Sequence, residues 1–212
     1  MQNVQVTYDT STNNARSESS VAINPNNPDQ IVAASKKFAD IQTYDFTLAT
    51  EYSTDGGNTW QASPELALPE GATVMTDPTL AWDDSNNVFL VGLTGYDPPT
   101  WDTIGIVIYR SSDGGQSWSA PNPIHNSTAD DKQWVAGDAS TSSPFRGNVY
   151  TVWDNDSTRS PGRPTTARPG RGRPEQQLAP RSPPAARCIQ RSPSRTPAPS
   201  MSSRPTRRHW SR

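Results

Sequence analysis

An eight-residue pattern, Ser-x-Asp-Gly-Gly-x-(Ser/Thr)-Trp, occurs twice in this chain, as Ser53-Thr-Asp-Gly-Gly-Asn-Thr-Trp60 and as Ser111-Ser-Asp-Gly-Gly-Gln-Ser-Trp118. At ordinary residue usage a match is expected in roughly one window in ten million or fewer. The pattern has the chemistry of a hairpin corner. The carboxylates of Asp55 and Asp113 can accept N–H bonds from their own loops, Gly57 and Gly115 can supply positive φ, and the Ser53 and Ser111 hydroxyls can tie the loop ends. Trp60 and Trp118 then present a large apolar face to the core with one donor to satisfy. These eight residues are expected to be architectural: a carboxylate engaged in holding its own turn is a poor acid or base.

Asp55 and Asp113 stand 58 positions apart, and strand-like text recurs at that period. Ser20–Asn24, a Pro/Asn-rich turn and Ile31–Ala34 form an apolar run, a turn and a second apolar run, the signature of a hairpin. Thr79–Trp82, the turn at 83–87 and Val88–Leu93 repeat it, and Trp134–Ala136 with Val149–Trp153 form a third copy around a longer loop. After each of the first two copies another strand runs into the box, and a fourth is expected to begin at its Trp. Repeats of four strands cannot bury both faces alone, so neighbours must stack, and radial stacking gives a β-propeller. The expectation is an all-β fold: about 2.5 blades of four-stranded antiparallel sheet, short of the four to eight that close a ring.

The charge divides where the repeats stop. Residues 1–157 carry 20 acidic against 6 basic side chains, whereas residues 158–212 carry 13 arginines against a single acid, so the net charge of −2 hides both halves. The first part is the expected incomplete propeller. The second, rich in Arg, Pro and Ser, has too few apolar residues to offset its ordering entropy and is expected to be disordered. It reads either as a basic tail that attracts polyanions or, the favoured reading, as the product of a shifted reading frame entered inside the third blade. The single cysteine, Cys188, lies there, so no disulfide framework or cysteine metal site is available. No apolar run is long enough to span a membrane, and the amino terminus lacks a signal-peptide pattern.

The boxes, with Glu18-Ser-Ser-Val-Ala-Ile-Asn-Pro-Asn-Asn-Pro and Asp131-Lys-Gln-Trp-Val-Ala-Gly-Asp, give residues 15–156 a resemblance to the sialidase superfamily of Asp-box (BNR-repeat) proteins. The resemblance implies a six-bladed propeller and a sialidase-like exo-glycosidase acting on terminal sialic acid or related bonds of a glycan or glycoconjugate, exported from the cell. It implies no cofactor, nucleic acid or membrane partner, and leaves the oligomeric state open. Such enzymes grip the substrate carboxylate with three arginines, use an Asp as acid/base, and attack with a Tyr activated by a Glu. A planar carboxylate suits bidentate guanidinium partners, and a neutral nucleophile avoids the substrate's charge.

Carried onto this chain, the first arginine corresponds to Arg16, although Ser-Glu-Ser follows it in place of Ile-Pro. The acid/base corresponds to Asp40, and Asp77, in Thr-Asp-Pro, resembles a substrate-pocket aspartate. Arg110 abuts a box and Arg146 sits in a turn, so neither completes an arginine triad. His125 reads as a solvated loop histidine, and the Asp83-Asp84 and Asp130-Asp131 pairs read as acidic loops more readily than as Ca²⁺ ligands. No metal site is expected. With so few of the catalytic groups identified, the chain is expected to be inactive. The alternative is a non-catalytic propeller that binds glycans or proteins.

Overall fold

The computed structural model describes residues 3–11, 14–96 and 102–155, together with the backbone of two dipeptides, Ala186–Arg187 and Ser192–Pro193. Among these residues every regular element is a β-strand, and no helix is long and apolar enough to cross a membrane. Strands β1 (Arg16–Ile23), β2 (Ile31–Asp40), β3 (Asp45–Ser53) and β4 (Gln61–Ala62) form one antiparallel meander. A second contains β5 (Val74–Trp82), β6 (Val88–Gly95), β7 (Thr103–Ser111) and β8 (Asn122–His125), again in chain order. The expected fourth strands are present, beginning just after Trp60 and four residues after Trp118.

The third sheet pairs β9 (Asp130–Gly137) with β10 (Asn148–Asn155). Along β10 it also carries β11 (Ala186–Arg187) and β12 (Ser192–Pro193), which pair with residues 153–154 and 148–149. Two dipeptides of the Arg/Pro/Ser-rich segment therefore pair where a third strand of this repeat would run. The expectation of disorder for the rest of residues 158–212 lies outside the described residues.

The sheets stack because their strands are apolar on both sides where a neighbour lies on both sides. Every residue of β6 is buried. Alternation divides its side chains between two cores. Val88 and Leu90 join Val32, Leu48, Leu80 and Tyr109 between the first and second sheets. Phe89, Val91 and Leu93 join Val135, Val149 and Trp153 between the second and third.

Polar groups fix the spacing of the stack. The buried Asp83 closes the β5–β6 turn by accepting N–H bonds from Ser85 at 2.8 Å and Asn87 at 2.9 Å. At the corresponding place in the β1–β2 turn, Asn24 accepts from the Asn26 N–H at 2.9 Å and donates to Asn86 of the next turn at 3.1 Å. The Trp82 indole donates to the Ala22 carbonyl at 3.1 Å. Each turn thus satisfies its own backbone and ties the next sheet in place, as buried polar groups require.

Both boxes fold as corners. Asp55 accepts the Thr59 N–H at 2.9 Å and the Thr59 hydroxyl at 2.6 Å, while the Ser53 hydroxyl bridges Asp55 and the Gly57 N–H. Asp113, Ser117, Ser111 and Gly115 repeat the set. Their surroundings differ. The Trp118 indole reaches the preceding sheet and donates to the Thr50 hydroxyl at 3.0 Å, whereas Trp60 donates to Gly57 of its own loop at 3.1 Å.

Candidate functional site

The three inner strands share a defect. Their ladders shift register after Ser17 in β1, after Thr76 in β5, and opposite Val152–Asp154 in β9. At each shift a non-glycine residue takes positive φ: Glu18 at 55°, Asp77 at 52° and Lys132 at 53°. L-residues adopt this conformation at a cost of about 1–3 kcal/mol, and strained residues of this kind cluster at functional sites. A bulge re-aims its side chain, and these three converge.

Glu18 accepts the Asp77 N–H at 3.1 Å and the Thr76 hydroxyl, and its other oxygen lies 3.6 Å from the ammonium of Lys36. Lys132 stands 3.4 Å from the Asp77 carboxylate and 3.2 Å from Asp131. The buried Gln133 donates its amide to the Asp77 carbonyl, and its side-chain oxygen has no partner among the described residues. Lys36 is itself buried, its ammonium 4.0 Å from the ring centre of Phe46 and within about 5 Å of Phe38 and Tyr44. Cation–π attraction holds that charge beside Glu18.

The two carboxyls are driven apart in acidity. Burial raises Asp77, and neighbouring Glu18 raises it further, against the opposing pull of Lys132. Burial also opposes ionisation of Glu18, but the bonds from Thr76 and Asp77 and the charge of Lys36 outweigh it and lower its pKa. Of the two, Asp77 is thus the weaker acid and Glu18 the stronger.

Of the residues expected from sequence, Asp77 is in this cluster. Asp40 caps its own turn by accepting the Gln42 N–H at 2.8 Å. Arg16 is spent internally: it donates to Asp9 at 2.8 Å, to Glu51 at 2.8 Å and to the Ser35 hydroxyl at 3.0 Å. Burial works against its charge, yet Asp9 and Glu51 together keep its pKa above the ordinary value. Glu18, Lys36 and Lys132 were missed. Nothing local in the sequence marks a bulge, although Glu18, Asp77 and Lys132 recur at nearly the repeat period.

His125 departs from the reading as a solvated loop residue. It ends β8, its Nδ1 lies 2.6 Å from the buried Asp130 carboxylate, and its ring packs against Trp153. Asp84 pairs with Arg146 at 3.2 Å. Among the described residues no group of three His, Cys, Asp or Glu side chains is placed to hold a metal. Two clefts, of about 230 and 360 Å³, lie along the outward side of the first sheet and include Arg16 and Glu51. Neither contains Glu18 or Asp77. They mark a sheet face without a neighbour, and the convergent charges at the bulges are the better candidate site.

Stacked antiparallel meanders with inner strands converging on one rim define three sheets of a β-propeller. No protein-family model matches the chain, and no curated protein does. Solved structures similar to it include a Hadza microbial sialidase, at 13% identity over 66% of this chain and 32% of that one, with a TM-score of 0.48. A family 117 glycoside hydrolase from the marine bacterium Zobellia galactanivorans is 10% identical over 68% of this chain and 49% of that one, at a TM-score of 0.46. A protein of unknown function from Dyadobacter fermentans is 16% identical over 58% and 30%, at 0.43. The chain spans between about a third and a half of the length of these proteins.

Proposed function

We propose that this chain is a sialidase-like propeller segment of the exo-glycosidase kind, which recognises a terminal acidic sugar of a glycan or glycoconjugate and does not by itself cleave the bond. The observation that carries this is the convergence of Glu18, Asp77, Lys36 and Lys132 at the bulged inner strands. Lys132, the more exposed of the two lysines, would have to exchange its pairing with Asp77 and Asp131 for a sugar carboxylate, and the unpartnered Gln133 oxygen suits a sugar hydroxyl. Asp77, whose pKa burial and Glu18 raise above the ordinary carboxylate value, stands at the centre of the cluster. Cleavage needs a general acid, a nucleophile opposite it and guanidinium partners for the carboxylate. Among the described residues, Arg16 is taken by Asp9 and Glu51, Arg110 by Asn87, and Arg146 by Asp84.

The commitment of Arg16 also favours a second reading, a propeller that binds glycans or proteins without catalysis. Two measurements on the purified chain separate the possibilities. With a fluorogenic sialoside, release no faster than the blank is expected, and measurable turnover would overturn the inert assignment. In a titration with sialyl-lactose, binding that weakens in Lys132→Ala and Asp77→Ala is expected. No binding to the wild-type chain would remove the glycan reading and leave the protein-binding one.

A further inference from the structure

At several matched positions the outermost sheets leave open what the internal interfaces close, although on the first sheet Ser35 and Glu51 are buried beneath Arg16. The ladder pairs Ile23–Ile31, Trp82–Val88 and Gly137–Val149 occupy the same place in the three repeats. Two residues before the first member of each pair stand Val21, Leu80 and Val135, on the side of the sheet that faces the preceding repeat. Leu80 and Val135 are 9% and 3% exposed in the two internal cores, but Val21 is 64% exposed. Ile23 is likewise open where its counterpart Trp82 is buried. Three residues after the second member stand Ala34, Val91 and Val152, on the opposite side. The first two are 1% and 0% exposed, whereas Val152 is 45% exposed beside the open Trp134.

The boxes show the same contrast. Gly114 and Gly115 are buried beneath the preceding sheet, where Gly115 packs on Val32 and Tyr52; Gly56 and Gly57 are not buried, and Trp60 bonds only within its own loop. The open side of the first sheet and the open side of the third are thus the two halves of an interface the molecule builds twice internally. The segment at residues 3–11 borders part of the first face, with Val6 and Thr7 on the rim of a cleft shared by Val21, Ala33 and Trp60.

We infer that the partner of these faces is a second copy of this chain, the third sheet of each copy stacking on the first sheet of the other to close a ring of six sheets. Continuity with the internal interfaces identifies the occupant, since Val21 and Ile23 on the first sheet and Val152 on the third stand at positions that are paired internally, while Ala33 and the Arg16-bound Glu51 replace Leu90 and Tyr109 on the first face. Two head-to-tail contacts related by a twofold axis close the assembly, and six sheets fall within the range in which propellers close. The inner strands of both copies, with their bulges at Glu18, Asp77 and Lys132, then line one central channel. This inference does not rest on the glycan reading.

The test is the mass of the full chain in solution by sedimentation equilibrium, with Val21→Asp and Val152→Asp measured beside it. Twice the chain mass of 23.1 kDa is expected. Either substitution alone is expected to weaken association on the order of a hundredfold, because each places an unpaired carboxylate in both contacts. Both positions are exposed in the single chain, so circular dichroism should show each variant folded. A wild-type monomer would overturn the proposal. So would an open series of larger species, or a dimer that only one of the two substitutions disrupts, since that would mean like faces pair.

Discussion

At Gly115 a methyl group would lie 2.7 Å from the Val32 side chain, on a backbone already at φ 91°. At Gly57, φ is 88°, but the nearest atom outside the loop is 3.5 Å away. Both alanine substitutions meet the positive-φ penalty, about 1–2 kcal/mol. Only Gly115→Ala adds overpacking against the preceding sheet, about 1–3 kcal/mol more. Chemical denaturation of the two variants should rank them in that order, and equal losses would show that the second box does not bear on the first sheet. The box carboxylates also set an acid limit. The side-chain and backbone bonds from Thr59, with that of Ser53, depress Asp55 to about 2, and Asp113 is lowered because its Ser117 and Ser111 bonds outweigh its burial. A depressed folded-state pKa contributes stability that is full above the unfolded value, about 3.9, and is lost as the pH falls through the folded one. Melting temperatures of wild type and Asp55→Asn should therefore differ at pH 5 and converge toward pH 2. A constant gap would mean that the Asp55 charge is not what the loop uses.

Among the elements, β6 and β1 show how position in the stack decides what a strand is worth. Both alternate, but β6 has a sheet on each side and β1 has one. Leu90→Ala in β6 is expected to cost about 2–5 kcal/mol, because the cavity opens in a core walled on all sides. Val21→Ala in β1 removes a side chain largely in water and is expected to cost about 0.5 kcal/mol or less in the single chain. Denaturation midpoints measured at concentrations low enough to keep chains apart would check the difference. The inner strands could be read from sequence as strands, and their order could be read as a meander. Their bulges could not, because a register shift depends on which residues the next strand offers as partners, and Glu18, Asp77 and Lys132 carry none of the glycines that usually announce positive φ.

For the molecule as a whole, stability and association are coupled. If a second copy covers the faces bearing Val21 and Val152, the folded state gains free energy with chain concentration. The apparent melting temperature should then rise as the chain is concentrated over about two decades, and the rise should vanish in Val152→Asp. A concentration-independent melt would mean that the open faces contribute nothing to folding. The same faces explain why the two clefts beside Arg16 and Glu51 lie away from the charged cluster: they lie on the side of the first sheet where internal sheets have a neighbour, while the cluster sits at the rim where inner strands converge.

The sequence by itself determined the all-β class, the repeat of about 58 residues, the two box corners and the structural employment of Asp55 and Asp113, because each follows from local chemistry: turn residues at fixed offsets and strands of alternating polarity. Asp77 is marked there only by family resemblance, as a candidate substrate-pocket residue. Only the tertiary structure decided that Arg16 is bound to Asp9 and Glu51, that Asp40 serves its own turn, and that Glu18, Lys36 and Lys132 gather around Asp77. The contacts around Asp77 join residues up to 59 positions apart and exist only once three sheets stack and their bulges meet, whereas Arg16 is claimed within the first repeat and Asp40 within its own turn.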